Sequence, residues 1–284
     1  MKAKSKNTPG FAASAAQQDG TSEMGPNASS VAPGAATAAD LACEETVEFN
    51  TKDGWRIIGT LHIPRNIGRV PGVVLVHGSR HESDAFGQIS SPGLTDTLSC
   101  HGLATLRIDI RGRGASRNPR RFHSMSPEQR EAVLLDVKAA LQFLAAQTGV
   151  KRNHIGIVGE QDTAGAVLTA AATSKHVVAC VLISGRLNRF VVDVFSRTRK
   201  PIFCLVSKED KRGLKDMVGV YLASKSASSR IQVFDGLALG TTMFSTWRFE
   251  FPSEPPIEEM VGSWLSATLD NRTRKEKNAP RTVD

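Results

Sequence analysis

The chain has 284 residues, a formal net charge of +8 and a hydrophobic fraction of 40%, enough apolar material for one large domain or two small ones. The basic balance favours anionic surroundings, but charged residues make up 23% of the chain, which excludes a charge-dominated nucleic-acid tail. No run approaches the roughly 20 apolar residues that a membrane-spanning helix requires, so a soluble protein without a membrane partner is expected.

Residues 1–43 are mainly Ala, Ser, Gly, Thr, Pro, Asn and Gln, with almost no large apolar side chain. Such a segment buries too little surface to offset its ordering entropy and is expected to be disordered. Its opening lysines lack the apolar stretch of about 7–15 residues that a secretory signal needs. One folded domain is expected over residues 44–269, followed by a disordered basic tail, 270–284, "DNRTRKEKNAPRTVD".

Within the domain, "TVEFN" and "WRIIGTLHIP" flank "TKDG", whose Asp-Gly pair signals an antiparallel hairpin. "GVVLVHG" (72–78) and "GLATLRIDIRG" (102–112) read as strands buried on both faces of a parallel sheet, with a helix expected between them over 88–101. In "SPEQREAVLLDVKAALQFLAAQ", Ser126 suits the N-cap, Pro127 the first helical position and Gln129 the capping box. Val133, Val137, Leu141 and Leu144 then line one helical face. Further strands are expected at "HIGIVG", "VVACVLIS", "PIFCLVS" and "RIQVFD", and "IEEMVGSWLSATL" closes the domain as an amphipathic helix. A hairpin followed by six buried strands alternating with helices is an α/β fold, a mostly parallel eight-stranded sheet covered on both faces.

Four cysteines, Cys43, Cys100, Cys180 and Cys204, show no C-x-x-C spacing, and the last two lie in apolar runs where a thiol acts as a small hydrophobe. A reduced, cytoplasmic setting is expected. There is no P-loop, no G-x-G-x-x-G after a strand and no H-E-x-x-H, so no cofactor or metal is indicated. No helix-turn-helix or zinc-finger spacing points to a nucleic-acid partner, and oligomeric state is not readable.

Three landmarks carry a resemblance. "VVLVHGS" (73–79) ends a strand on His-Gly, "LRIDIRGRGAS" (106–116) carries D-x-R-G-x-G-x-S, and "IGIVGEQDTAGA" (155–166) runs from a buried strand straight into a small-residue helix. In this order, over residues 45–268, they resemble the α/β-hydrolase superfamily, nearest its dienelactone-hydrolase-like and serine-aminopeptidase-like branches. The resemblance implies that fold, an oxyanion-hole loop after the His-Gly, a nucleophile at the turn after Gly159 and Glu160, an acid after the seventh strand and a histidine after the eighth. The nucleophile place holds Gln161, with Thr163 and Ala164 where two glycines usually sit. The acid place falls on Asp210, with Glu209 beside it, and the histidine place on Leu239. A degenerate triad is therefore expected.

The chemistry follows from the side chains. Gln161 is an amide with no proton to give up, and Leu239 cannot shuttle one. An oxyanion hole and substrate binding alone leave an effect on the order of 10³ over water. A one-residue shift puts Asp162 in the nucleophile place, as in aspartate-dependent members of the superfamily, but their second step needs a histidine and none follows His176. Backbone N–H groups survive side-chain loss, so Ser79 and Asp162 are expected to form an oxyanion-hole-like pair. His77, Gly78, His81 and Glu160 are expected around the pocket mouth, His77 as a structural residue and His81 as either a base or a solvated loop histidine.

Alternatives stay open at several positions. Asp162, Glu160 and Asp210 either move protons or serve as hydrogen-bonded turn carboxylates. Arg111, Arg113, Arg117, Arg120 and Arg121 either hold the phosphate or carboxylate of an anionic ligand or form a solvated loop with Arg111 packed inside. Met243, Phe244, Trp247 and Phe249 either wall a pocket or pack onto the sheet. The expected function is a pseudo-hydrolase that binds a small molecule or a partner. The alternatives are a lyase, isomerase or cyclase using Asp162 or Asp210, and an ester or thioester hydrolase, which needs an elbow serine that residues 157–165 lack.

Overall fold

All seven residues of "VPGVVLV" are buried in strand β3 (Val70–Val76), as are all seven of β6 (Val177–Ile183) and all six of β7 (Ile202–Ser207). Val74 and Val76 point into one apolar core while Val73 and Leu75 point into the other, the period-two alternation of a strand covered on both sides. The computed structural model describes residues 44–64, 68–80, 83–86, 93–117, 121–236 and 238–278. The expectations for residues 1–43, His81 and Arg120 lie outside these, as does part of the helix expected over 88–101.

The remaining strands are β1 (Glu44–Asn50), β2 (Arg56–His62), β4 (Ala104–Ile108), β5 (Val150–Glu160) and β8 (Arg230–Phe234). They form one eight-stranded sheet in the order β1-β2-β4-β3-β5-β6-β7-β8. β2 is antiparallel to both β1 and β4, and every other pairing is parallel. The expected hairpin is β1–β2, turned at Gly54 with φ +79° and closed by a hydrogen bond from Thr51 N to Trp55 O.

Helices α3 (Val133–Ala146), α4 (Ala164–Thr173), α5 (Arg189–Ser196) and α6 (Lys211–Ala223) share one core with the sheet. Helices α1 (Leu94–Cys100), α7 (Thr242–Glu250) and α8 (Ile257–Asn278) share the other. The apolar face Val133, Val137, Leu141 and Leu144 is buried as its spacing requires. Ser126 and Gln129 form the reciprocal capping box of a short helix, α2 (Pro127–Glu131), which breaks at Ala132 before α3 begins. At the other end, α8 stays helical to Asn278, past the boundary at 269 that composition suggested. Met243 and Phe244 are core residues of α7, and Trp247 packs on Phe234 and Phe251; only Phe249 projects outward.

Arg111 is 1% exposed, so its charge must be matched inside. Its Nε and Nη2 donate to Asp136 Oδ1 at 2.8 and 2.7 Å, and its backbone N donates to Asp136 Oδ2 at 2.9 Å. Nη1 and Nη2 also reach the Asp53 carboxylate at 2.8 and 3.1 Å, and the guanidinium lies 5.5 Å from the Trp55 ring centre. One side chain thus ties the β1–β2 turn, the loop after β4 and α3. Burial pushes the Asp136 carboxyl up to about 6 although Arg111 pulls it the other way. The anion-binding alternative fails for Arg111, whose donors are spent internally. Arg113 stacks on Phe122 at 5.2 Å and bonds His123 Nε2 at 3.0 Å.

At pH 8, where Asp136 is ionised, Arg111→Ala leaves that charge buried and unpaired and is expected to lower stability by about 3–5 kcal/mol in urea denaturation. A loss under about 1 kcal/mol would show that the pair does not hold these segments together.

Candidate functional site

β5 ends at Glu160 and passes through a single 3-10 turn, Gln161–Thr163, directly into α4. The crossing is close because Gly159 has no side chain: a Cβ there would lie 2.7 Å from Val167 Cβ of α4. Gln161 adopts φ +46°, a left-handed conformation that costs a non-glycine residue roughly 1–2 kcal/mol. The turn is held on its far side by Arg186 N, which donates to Gln161 O at 2.9 Å.

Glu160 is fully buried, and its carboxyl group joins three chain segments. Oε2 accepts from Gly78 N at 3.0 Å, while Oε1 accepts from Thr241 N at 2.7 Å and Thr241 Oγ1 at 3.1 Å. The segment 238–241 presses on the turn so closely that a Cβ on Gly240 (φ +61°) would fall 2.1 Å from Glu160 Oε1 and 2.6 Å from Gln161 Nε2. Ser184, another non-glycine at positive φ (+49°), accepts Gly240 N on its Oγ at 2.9 Å. Leu239 therefore stands beside the Gln161 turn with 37% of its surface exposed.

The expected oxyanion pair is arranged differently. Ser79 N donates at 2.8 Å to Asp162 Oδ1, so the amide is occupied by the side chain of its intended partner. His77 is fully buried, with Nδ1 2.7 Å from Gly78 O and Nε2 accepting from Ile110 N at 3.2 Å. These two contacts tie β3 to the loop after β4. Asp210 is hydrogen-bonded through both of its carboxylate oxygens. It caps α6 through Gly213 N at 3.0 Å and takes Arg186 Nη1 and Nη2 on its two oxygens, both at 2.8 Å. Such a bidentate pair fixes the carboxylate.

A cavity of about 700 Å³ opens beside the turn, the size of a small-molecule site. Ser79 and Asp162 line it, together with Phe122, His123, Leu134 and Val191 among others. His77, Gly78 and Glu160 do not line this cavity: His77 and Glu160 are spent on the hydrogen bonds that join the loops beneath it, and Gly78 packs against Gln161 and Asp162. Its far wall comes from the N-terminal halves of α3, α4 and α5, which the sequence reading did not assign to the site. Arg186 was missed as well; it follows a Ser-Gly turn in "ISGRLN", and no local motif marks it. Among the described residues, no three His, Cys, Asp or Glu side chains converge as a metal site, and no helix is long and apolar enough to cross a membrane.

Solved structures share this fold. An esterase of Pyrococcus furiosus superposes with a TM-score of 0.64 at 18% identity, over 83% of this chain and 97% of its own. A dienelactone hydrolase from Anabaena variabilis gives 0.58 at 18% identity, over 81% and 98%. An α/β-hydrolase from a Penicillium species gives 0.62 at 16% identity, over 80% and 99%. No family model matches the chain, and no curated protein matches it in sequence. The chain has the α/β-hydrolase fold.

If Glu160 joins the three segments, Glu160→Ala strands the Gly78 and Thr241 amides without acceptors, at about 1–3 kcal/mol each. Hydrogen exchange is expected to speed up at both amides together, and less in Glu160→Gln, which retains a carbonyl acceptor. Unchanged exchange at either amide in the alanine variant would contradict the assignment.

Proposed function

We propose that this protein is a pseudo-hydrolase of the α/β-hydrolase fold: it has lost serine chemistry and uses the cavity beside the Gln161 turn to bind a small molecule. The observation that carries the reading is Gln161 itself, a non-nucleophilic amide at positive φ on the sharp turn from β5 into α4, where the fold usually presents its nucleophile. Two neighbours support it. Leu239, in the segment against that turn, offers no base. Asp210, in the acid position, is paired with Arg186 rather than a histidine.

The reading extends to transition-state stabilisation. An oxyanion hole works through donors aimed at the place where charge develops. Here the Ser79 amide already donates to Asp162, so an entering oxyanion would have to displace a carboxylate. Acid–base chemistry by Asp162 is the competing reading, and one observation favours it: the Asp162 side chain is exposed in the cavity wall.

Intact-protein mass spectrometry after fluorophosphonate treatment is expected to show no adduct; an adduct on any serine lining the cavity would restore serine chemistry and refute the proposal. The double substitution Gln161→Ser/Leu239→His is expected to leave p-nitrophenyl acetate hydrolysis within about tenfold of background, because neither the Arg186-bound acid nor the occupied amide is released. Recovery of about 10³-fold or more would show that the two substitutions alone had silenced a working site.

A further inference from the structure

At the edge of the sheet opposite the Gln161 turn, where β3, β5 and β6 begin, two adjoining hollows of about 300 and 440 Å³ share Gln142 and His176. Lys138 and Lys175 line the first, and Arg69 and Arg152 line the second. Among the described residues, no aspartate or glutamate lines either one. The four cations come from separate places: the approach to β3, the middle of α3, β5, and the connection from α4 to β6. No single charge run or helix face accounts for their meeting.

His176, 8% exposed between them, registers the field. Its imidazole is held below the usual range, by burial first and then by the positive charges of Arg152 and Lys175, with a hydrogen bond to the Arg152 backbone opposing. A structural explanation for cations here is that α3 and α4 end at this edge, where terminal carbonyls attract positive charge. That need is already met at α4 by Lys200 Nζ, which donates to Ala171 O and Ser174 O at 2.6 Å each. Arg69 Nε donates to Thr148 O at 3.1 Å just beyond α3. Lys138 in the middle of α3 and Arg152 inside β5 complement no helix end.

We propose that the paired hollows form a binding site for a compact polyphosphate group, with Arg69, Lys138, Arg152 and Lys175 as its charged contacts and Gln142 as a neutral donor. Several cations without a lining carboxylate suit a ligand of several negative charges, and linked phosphoryl groups place those charges close enough to span both hollows. The site is separate from the cavity beside Gln161 and does not depend on the function proposed for that cavity.

Isothermal titration of the full chain with inorganic tripolyphosphate at about 0.1 M salt is expected to show saturable one-to-one binding. Arg152→Ala/Lys175→Ala is expected to weaken it at least about tenfold. Lys208→Ala/Lys211→Ala removes the same charge at the opposite edge of the sheet and is expected to stay within about twofold. Lys138→Gln, at an exposed position, gives the same reading if the first pair does not fold. Adenosine triphosphate run alongside separates a nucleotide from a free polyphosphate, and saturable binding of either supports the site. Equal loss in both pairs, binding that does not saturate, or citrate binding as tightly as tripolyphosphate would overturn the proposal. So would a lowered Tm in the Arg152/Lys175 variant with unchanged affinity.

Discussion

The candidate site depends on one buried carboxyl group. Glu160 ends β5 and, from a position with no solvent contact, accepts the backbone of the β3 loop at Gly78 and of the segment after β8 at Thr241. Both amides lie at chain positions that no strand pairing satisfies, and a buried amide without an acceptor is costly. Glu160 therefore decides how three loops meet above the sheet. The close approach of Gly240, which leaves no room for a side chain, follows from that meeting.

A second tie stands on the other flank. Arg186 holds the Gln161 carbonyl with its backbone and both Asp210 oxygens with its side chain. Together the two ties support a strained glutamine at φ +46°. Strain at a turn persists only when its surroundings over-determine it, and here hydrogen bonds on both sides do so. The sharp strand-to-helix turn is thereby kept, with Asp162 bound by the Ser79 amide and Asp210 by Arg186. The open volume lies to the side, against α3, α4 and α5.

The fold was legible because its signals are periodic and local. Apolar runs such as "VVLV" and "VVACVLI" have a single stable use, burial on both faces of a parallel sheet, and Ser126-Pro127 with Gln129 announces a helix start that the structure contains. The place of Gln161 on a strand-to-helix turn was legible for the same reason. Partnerships were not. Nothing in "SKEDKRG" says that Asp210 meets Arg186 across 24 residues of sequence, or that the Asp162 side chain turns back onto the Ser79 amide. Such contacts are set by how loops from different strands converge, which one sequence does not encode in any short window. The cavity was legible only in part for the same reason: Ser79 and Asp162 line it, but its helical wall is assembled from three separated segments, and His77 and Glu160 are spent joining loops. The end of α8 was missed because composition scored "DNRTRKEKN" as tail, although its residues are compatible with a helix once its start is anchored by Ile257, Val261 and Leu265 in the core.

Whether the Gln161 turn performs acyl chemistry decides between a pseudo-hydrolase and a working enzyme. Steady-state hydrolysis of p-nitrophenyl butyrate by the full chain and by Gln161→Ala, at matched concentration and with heat-denatured protein as the background, reads this directly. Rates for both proteins are expected to be indistinguishable from each other and from the background. Saturable turnover by the unaltered chain that disappears in Gln161→Ala would contradict the pseudo-hydrolase reading.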